Sequence, residues 1–135
     1  MKRLALILVA ATAMLAALST SASAFTMSEK VVVANQLIAI ARAPAGGMSA
    51  DQRINRVNER LAYILGYEPL DARNTYAVPA PGGSMSIMVG NRLLITVTSA
   101  DARANNTTVP GLTREWLMRA REALPQARPT PAIPG

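Results

Sequence analysis

The sequence predicts a single α+β domain. Two hairpins and a linking strand form a mainly antiparallel sheet, and two helices pack on one of its faces. Two pairs of short apolar runs are separated by turn residues, and two longer segments repeat apolar residues at helical spacing. The chain has 135 residues and no cysteine, which suits one domain held together by its core rather than by disulfides.

Residues 1–24 have the layout of a secretory signal peptide. Lys2 and Arg3 precede an apolar run over residues 4–18, and Ala22-Ser23-Ala24 forms an A-x-A cleavage pattern. The run is shorter than the ~20 residues that a membrane-spanning helix needs, which favours a leader over an anchor. We therefore expect export to the periplasm or the extracellular space after cleavage following Ala24.

Residues 31–42 predict the first hairpin, because two aliphatic runs flank Asn35-Gln36. Asparagine tolerates the left-handed backbone of a tight turn, although a glycine would be the stronger turn residue. The alternative interpretation is one long buried strand with a bulge. The stretch from Pro44 to Gly47 then predicts a loop, because proline and glycine interrupt regular secondary structure.

The first helix is predicted over residues 49–65. Ser49 and Gln52 have the spacing of a capping box, and Gly66 is placed to end the helix. Apolar residues recur at spacings of three and four along one face, which should cover the sheet. These residues are Ala50, Ile54, Val57, Leu61 and Ile64.

The linking strand and the second hairpin follow. Residues 75–78 predict a short strand that Pro79 stops, and a turn follows at residues 80–83. Residues 85–89 and 93–98 predict two strands joined across Gly90-Asn91, a pair typical of hairpin turns.

The last elements are helical. Residues 99–104 predict a helical turn capped by Ser99, and Thr108 caps the last helix. The buried face of that helix comprises Leu112, Trp116, Ala120 and Leu124. The domain is thus expected to cover residues 25–124. Four prolines in residues 125–135 predict a disordered, proline-rich tail.

The two halves of the domain contain similar sequence strings, a similarity that we call the internal echo. The string from Val33 to Ile38 is similar to the string from Val89 to Leu94, and each half then contains an S-A-D-x-R sequence, at residues 49–53 and 99–103. One interpretation is a duplicated unit of hairpin and helix. The other is that hairpins and helix caps reuse the same residue types for local reasons.

The order of these pieces carries a resemblance. The chain from Val31 to Pro125 resembles a small extracytoplasmic α/β domain found ahead of the membrane part of some cyanobacterial mechanosensitive-channel-like proteins, and also as a stand-alone secreted protein. The resemblance supplies no catalytic residues and does not imply ion conduction. The matching positions are the first hairpin; Ser49-Ala50-x-x-Arg53 with Val57 and Leu61; Ile87-Met88-Val89-Gly90 with Leu93-Leu94-x-x-Val97-Thr98-x-x-Asp101-Ala102; and Ala104-x-x-x-Thr108 with Leu112 and Trp116.

Composition narrows the possible functions. Without cysteine or histidine, the chain has no thiolate nucleophile, no Ser-His or Cys-His pair and no Cys or His zinc site. The net charge of +6 includes Lys2 and Arg3 of the leader, and the other basic residues are scattered, so we expect no nucleic-acid partner. Glu68 and Asp71 are the closest pair of carboxylates outside the helices that a hydrolase could use, but their position in a predicted surface loop favours solvated turn residues instead.

The candidate binding residues are three arginines on the first helix. Arg53, Arg56 and Arg60 follow one another at spacings of three and four, beside the apolar face. Three guanidinium groups on one edge suit phosphates or carboxylates, because each presents a planar fork of donors. The alternative is a solvated edge whose alkyl stems shield the core.

These observations favour a non-enzymatic module of the bacterial envelope that binds a protein or a cell-wall component, without cofactor or metal. The alternative is peripheral contact with an anionic membrane through the three arginines. The sequence leaves the oligomeric state open.

Overall fold

A computed structural model describes residues 30–127. Strands β1 (Lys30–Val33) and β2 (Gln36–Ile40) form one antiparallel sheet, and strands β3 (Thr75–Ala80), β4 (Ser84–Val89) and β5 (Arg92–Val97) form a second antiparallel sheet in that order. The α+β class is confirmed, with the strands divided between two sheets. The leader predicted at residues 1–24 lies outside the described residues. The helices are α1 (Ala50–Tyr67), which lies between β2 and β3, and α2 (Ser99–Ala104) and α3 (Val109–Ala123), which follow β5.

The first hairpin is confirmed, but its turn lies one residue earlier than predicted. Ala34 and Asn35 are the central residues, with φ of 49° and 63°, and Gln36 already belongs to β2. Two positive φ values in succession are the signature of a type I′ turn, whose twist matches that of the two strands.

Both hairpins carry a bulge at the same position after the turn. In the first, Val31 pairs with Ala39 and Val32 with Leu37, so that Ile38 is the extra residue. In the second, Leu94 is extra in the same way, between Leu93 and Ile95. The bulge turns two successive side chains inward, which explains why Ile38 and Leu94 are both fully buried.

Strand β3 is longer than predicted, because it continues through Pro79 to Ala80. The prediction that Pro79 stops the strand is wrong. Strand β3 lies at the edge of its sheet, where a residue without an N–H can be accommodated.

Helix α1 begins as predicted, with Ser49 and Gln52 forming a reciprocal capping box. It continues through Gly66 to Tyr67, so the prediction that Gly66 ends the helix is wrong. Glu68 is the C-terminal cap instead, and its backbone N–H bonds to the carbonyl of Ile64.

Helix α2 is capped by Thr98, and not by Ser99 as predicted. The Thr98 hydroxyl accepts from the backbone N–H of Asp101, and the Asp101 carboxylate accepts from the N–H of Thr98. Asp101 is thus the fourth residue of a capping box that begins at Thr98.

Helix α3 follows the predicted Thr108 cap, and its predicted apolar face is buried. Trp116 is 1% exposed, which confirms its assignment to the core. Pro125 and Gln126, predicted to belong to the disordered tail, lie with Leu124 in a 3-10 turn. Residues 128–135 of that prediction lie outside the described part of the chain.

The helices enclose the core between them and the strands. Helix α1 packs on β5 and β1, and α3 packs on β2, β3 and β4. Within residues 30–127, no helix is long and apolar enough to cross a membrane.

Candidate functional site

The three predicted arginines lie on the edge of α1 that faces β5, but they do not form one exposed stripe. Arg53 is buried, Arg56 is exposed and Arg60 is intermediate. All three line a groove of about 200 Å³ between α1 and β5, which we call the α1–β5 groove. Val57 and Ile95 are among its apolar lining residues, and Thr96 and Thr98 also line it.

Arg53 is a structural residue, which corrects its prediction as an anion-binding group. Its two terminal nitrogens donate to the two carboxylate oxygens of Asp101, at 2.7 and 2.8 Å. It also donates to the backbone carbonyls of Ala43 and Thr96. With these N–H donors engaged and only 7% of the residue exposed, the Arg53 guanidinium is committed to the fold.

The sequence contained a signal for this burial. Arg53, Val57, Leu61 and Ile64 recur at spacings of four, four and three, so Arg53 lies on the row of buried residues rather than beside it. Its partner, Asp101, is fully buried. Its position three residues after Thr98 predicts a cap but does not indicate the partner on α1.

Arg56 and Arg60 are the arginines that solvent reaches. Arg56 pairs with Glu59 at 3.1 Å, and both side chains are more than half exposed. Such a pair contributes little to stability and exchanges easily with a ligand. None of the carboxylates in residues 30–127 forms an ion pair with Arg60.

Arg60 is also electrostatically unfavourable where it lies. Burial lowers the pKa of its guanidinium, repulsion from Arg56 lowers it further, and Glu59 partly opposes both effects. A lowered pKa in a base means that its surroundings disfavour the charged form. An anion bound beside Arg60 would therefore relieve a cost that the free protein carries.

A second hollow of about 280 Å³ adjoins the first, and Arg60 lines both. We call it the turn hollow, because Asn91 of the β4–β5 turn and Arg92 at the start of β5 line one side of it and Tyr63 of α1 lines the other. The Arg92 guanidinium lies over the Tyr63 ring, 4.2 Å from its centroid, and donates to the Tyr63 hydroxyl at 2.9 Å. A second tyrosine, Tyr67, stacks on Tyr63 with centroids 4.5 Å apart.

The carboxylates considered for hydrolysis do not lie in these hollows. Glu68 is 3.6 Å from Arg92 and lies against Gly90, and Asp71 is an exposed loop residue that precedes a 3-10 turn. Within residues 30–127 no group of three acidic side chains is arranged to hold a metal ion.

Comparison with known proteins gives one relationship. A family described as "Domain of unknown function (DUF8459)" matches residues 30–127, which is well over half of the chain. No curated protein and no solved structure matches it.

Proposed function

The chain belongs to the DUF8459 family, and we propose that this domain is a non-enzymatic interaction module of the bacterial envelope. It binds an acidic group of a protein or cell-wall partner in the α1–β5 groove. Its location in the envelope rests on the leader predicted at residues 1–24 and on the resemblance to extracytoplasmic domains.

The observation that carries the proposal is the state of Arg60. A partly buried guanidinium without a carboxylate partner among the described residues has unused donors, and burial makes an added ion pair stronger than one at an open surface. Arg56 lies one turn away and is held only by an exposed pair with Glu59. The two arginines together match a carboxylate or phosphate group on a ligand that enters the groove.

The same geometry favours a ligand that enters the α1–β5 groove over a flat membrane surface. Binding to anionic lipid headgroups through the arginines of α1 requires exposed guanidinium groups, and that of Arg53 is buried and bonded to Asp101. Arg60 lies recessed beside Val57, so a planar surface reaches Arg56 more easily than Arg60.

Sedimentation and binding measurements test the proposal. Residues 25–135 are mixed with purified cell-wall sacculi, with phosphatidylglycerol vesicles and with poly-L-glutamate, which represents an acidic protein segment. We expect binding to sacculi or polyglutamate that weakens as salt is added, because exposed charges are screened over ~8–10 Å at physiological ionic strength. Binding to the vesicles should be weaker, because a planar surface does not enter the groove.

The decisive comparison uses two double variants that lose the same charge. Arg56→Gln with Arg60→Gln should abolish binding, whereas Arg103→Gln with Arg114→Gln should leave it intact, because neither of these exposed residues lines the groove. Equal binding by both variants, or no binding to any of the three probes, would overturn the proposal.

A further inference from the structure

Arg92, Tyr63 and Tyr67 form a stacked cluster on the surface of the domain. The guanidinium of Arg92 lies over the Tyr63 ring, 4.2 Å from its centroid, and the ring of Tyr67 stacks on Tyr63 with centroids 4.5 Å apart. The outer face of Tyr67 is the open end of the stack, and Tyr67 is 75% exposed.

The stack is held in place from two sides. Arg92 donates to the Tyr63 hydroxyl and lies beside the Glu68 carboxylate, which follows directly on Tyr67 in the chain. Tyr67 follows Tyr63 at the i+4 position of the same helix, so the two rings lie on the same face. A fixed ring loses little conformational freedom when a ligand covers it, which favours binding.

The groups around the stack select the ligand. The turn hollow is lined by Arg60, Arg92 and Asn91, whose side chains all carry hydrogen-bond donors. The outer ring of Tyr67 offers a flat, electron-rich face that attracts C–H groups. Tyr67 lies seven residues beyond Arg60 on α1, about 10 Å along the helix axis.

We propose that the ligand of this domain is an acidic oligosaccharide. One sugar ring stacks on Tyr67, hydroxyl groups bond to the donors of the turn hollow, and a carboxylate or phosphate on a neighbouring sugar pairs with Arg60 and Arg92. The inference rests on the proposed function, because Arg60 belongs to both sites. An acidic peptide would satisfy the arginines equally well, but it would leave the flat face of Tyr67 without a matching ring surface.

Three soluble probes separate charge from ring recognition. Oligogalacturonate has acidic groups on sugar rings, poly-L-glutamate has acidic groups without rings, and dextran has rings without charge. Isothermal titration of residues 25–135 should show the tightest binding to oligogalacturonate, about tenfold tighter per binding site than to polyglutamate, and no heat with dextran.

The variant Tyr67→Ala then tests the stack itself. It should weaken oligogalacturonate binding fivefold to tenfold, in the range of a lost stacked ring, and change polyglutamate binding less than about twofold. The control Met118→Ala removes another exposed apolar side chain, from α3, and should change neither affinity. Thermal melting of each variant establishes that it is folded.

The outcomes distinguish this inference from the proposed function. If polyglutamate binds as tightly as oligogalacturonate, or if Tyr67→Ala binds both probes like the wild type, the saccharide inference is wrong and the acid-binding groove stands. If dextran binds as well as oligogalacturonate, the acidic part of the inference is wrong. If neither acidic probe nor sacculi bind, both proposals fail.

Discussion

Arg53 and Asp101 form a two-pronged ion pair in the interior of the domain, at nitrogen–oxygen distances of 2.7 and 2.8 Å. The pair connects α1 to the start of α2, and Arg53 also bonds to the carbonyls of Ala43 and Thr96. One guanidinium thus joins the segment after the first hairpin, the first helix, the last strand and the second helix. The two halves of the domain are fastened together at this point.

Removing Arg53 should destabilise the domain strongly. In Arg53→Met, the buried carboxylate of Asp101 loses two charged donors and keeps only the N–H and the hydroxyl of Thr98. An uncompensated buried charge costs about 3–5 kcal/mol. We expect a loss of that size in the free energy of unfolding, measured by urea denaturation of residues 25–135.

Two further variants control this prediction. Arg56→Met breaks an exposed pair with Glu59 and should cost less than about 1 kcal/mol. Adding Asp101→Asn to Arg53→Met should recover part of the loss, because it removes the unpaired charge. If Arg53→Met is as stable as Arg56→Met, the ion pair does not hold the fold together.

The N-terminal cap of α2 gives a second prediction. Thr98→Ala removes the hydroxyl that accepts from the backbone of Asp101 and donates to its carboxylate, and should cost about 1–2 kcal/mol. Ser99→Ala, at the neighbouring exposed position, should change the free energy of unfolding by less than about 0.5 kcal/mol. Chemical denaturation of the two variants checks the assignment, and the opposite order would restore Ser99 as the cap.

The first hairpin turn gives a third prediction. Ala34 has a φ of 49°, a conformation that costs an alanine about 1–2 kcal/mol and a glycine almost nothing. Ala34 is exposed, so Ala34→Gly should stabilise the domain by about 0.5–1 kcal/mol after the entropy of the unfolded glycine is counted. A rise in the urea midpoint checks this result. A fall would mean that the Ala34 methyl makes a contact that outweighs the backbone strain.

The equivalent position in the second hairpin serves as the converse control. Gly90 also has a positive φ, of 57°, and a Cβ atom there would push aside the ends of the Glu68 and Asn74 side chains, which would take the Glu68 carboxylate away from Arg92. Gly90→Ala should therefore be more destabilising than Gly82→Ala, which has a φ of 72° but open space around it. Equal losses would show that the backbone alone sets the preference for glycine.

The helix starts and the hairpin turns are the features that local sequence patterns predict correctly. Ser49 with Gln52, and Thr108 before an amphipathic segment, are local patterns that determine a helix start without reference to the rest of the chain. The hairpins were found by the same kind of local rule. Their matching bulges after the turn are consistent with the internal echo, whereas the two S-A-D-x-R strings differ in register, because Ser49 caps its helix and Ser99 does not.

The wrong predictions concern sites where two adjacent residues can play the same role, or where a side chain contacts a residue that is distant in the sequence. Thr98 and Ser99 can both cap a helix, and the spacing of Asp101 decides between them. Arg53 finds its carboxylate 48 residues away, which no local pattern reveals. For the same reason the stack of Tyr63 and Tyr67 with Arg92 was not predicted, since β5 brings the arginine across to α1.

Arg60 gives the last prediction, which links stability to binding. Because burial and repulsion from Arg56 lower the pKa of Arg60, its charged form destabilises the fold at every pH below that pKa, including neutral pH. Arg60→Met keeps the alkyl stem and removes the charge. It should raise the free energy of unfolding, by less than about 1 kcal/mol because the side chain is only partly buried.

The same variant should lose affinity for acidic ligands, so stability and binding change in opposite directions. Urea denaturation and isothermal titration with oligogalacturonate on one preparation measure both quantities. Arg114→Met, on an exposed face of α3, is the matched control and should change neither. If Arg60→Met is destabilised, the guanidinium has a structural partner, as Arg53 does. If Arg60→Met is more stable and still binds oligogalacturonate, the Arg60 charge is unfavourable to the fold but is not part of the ligand site.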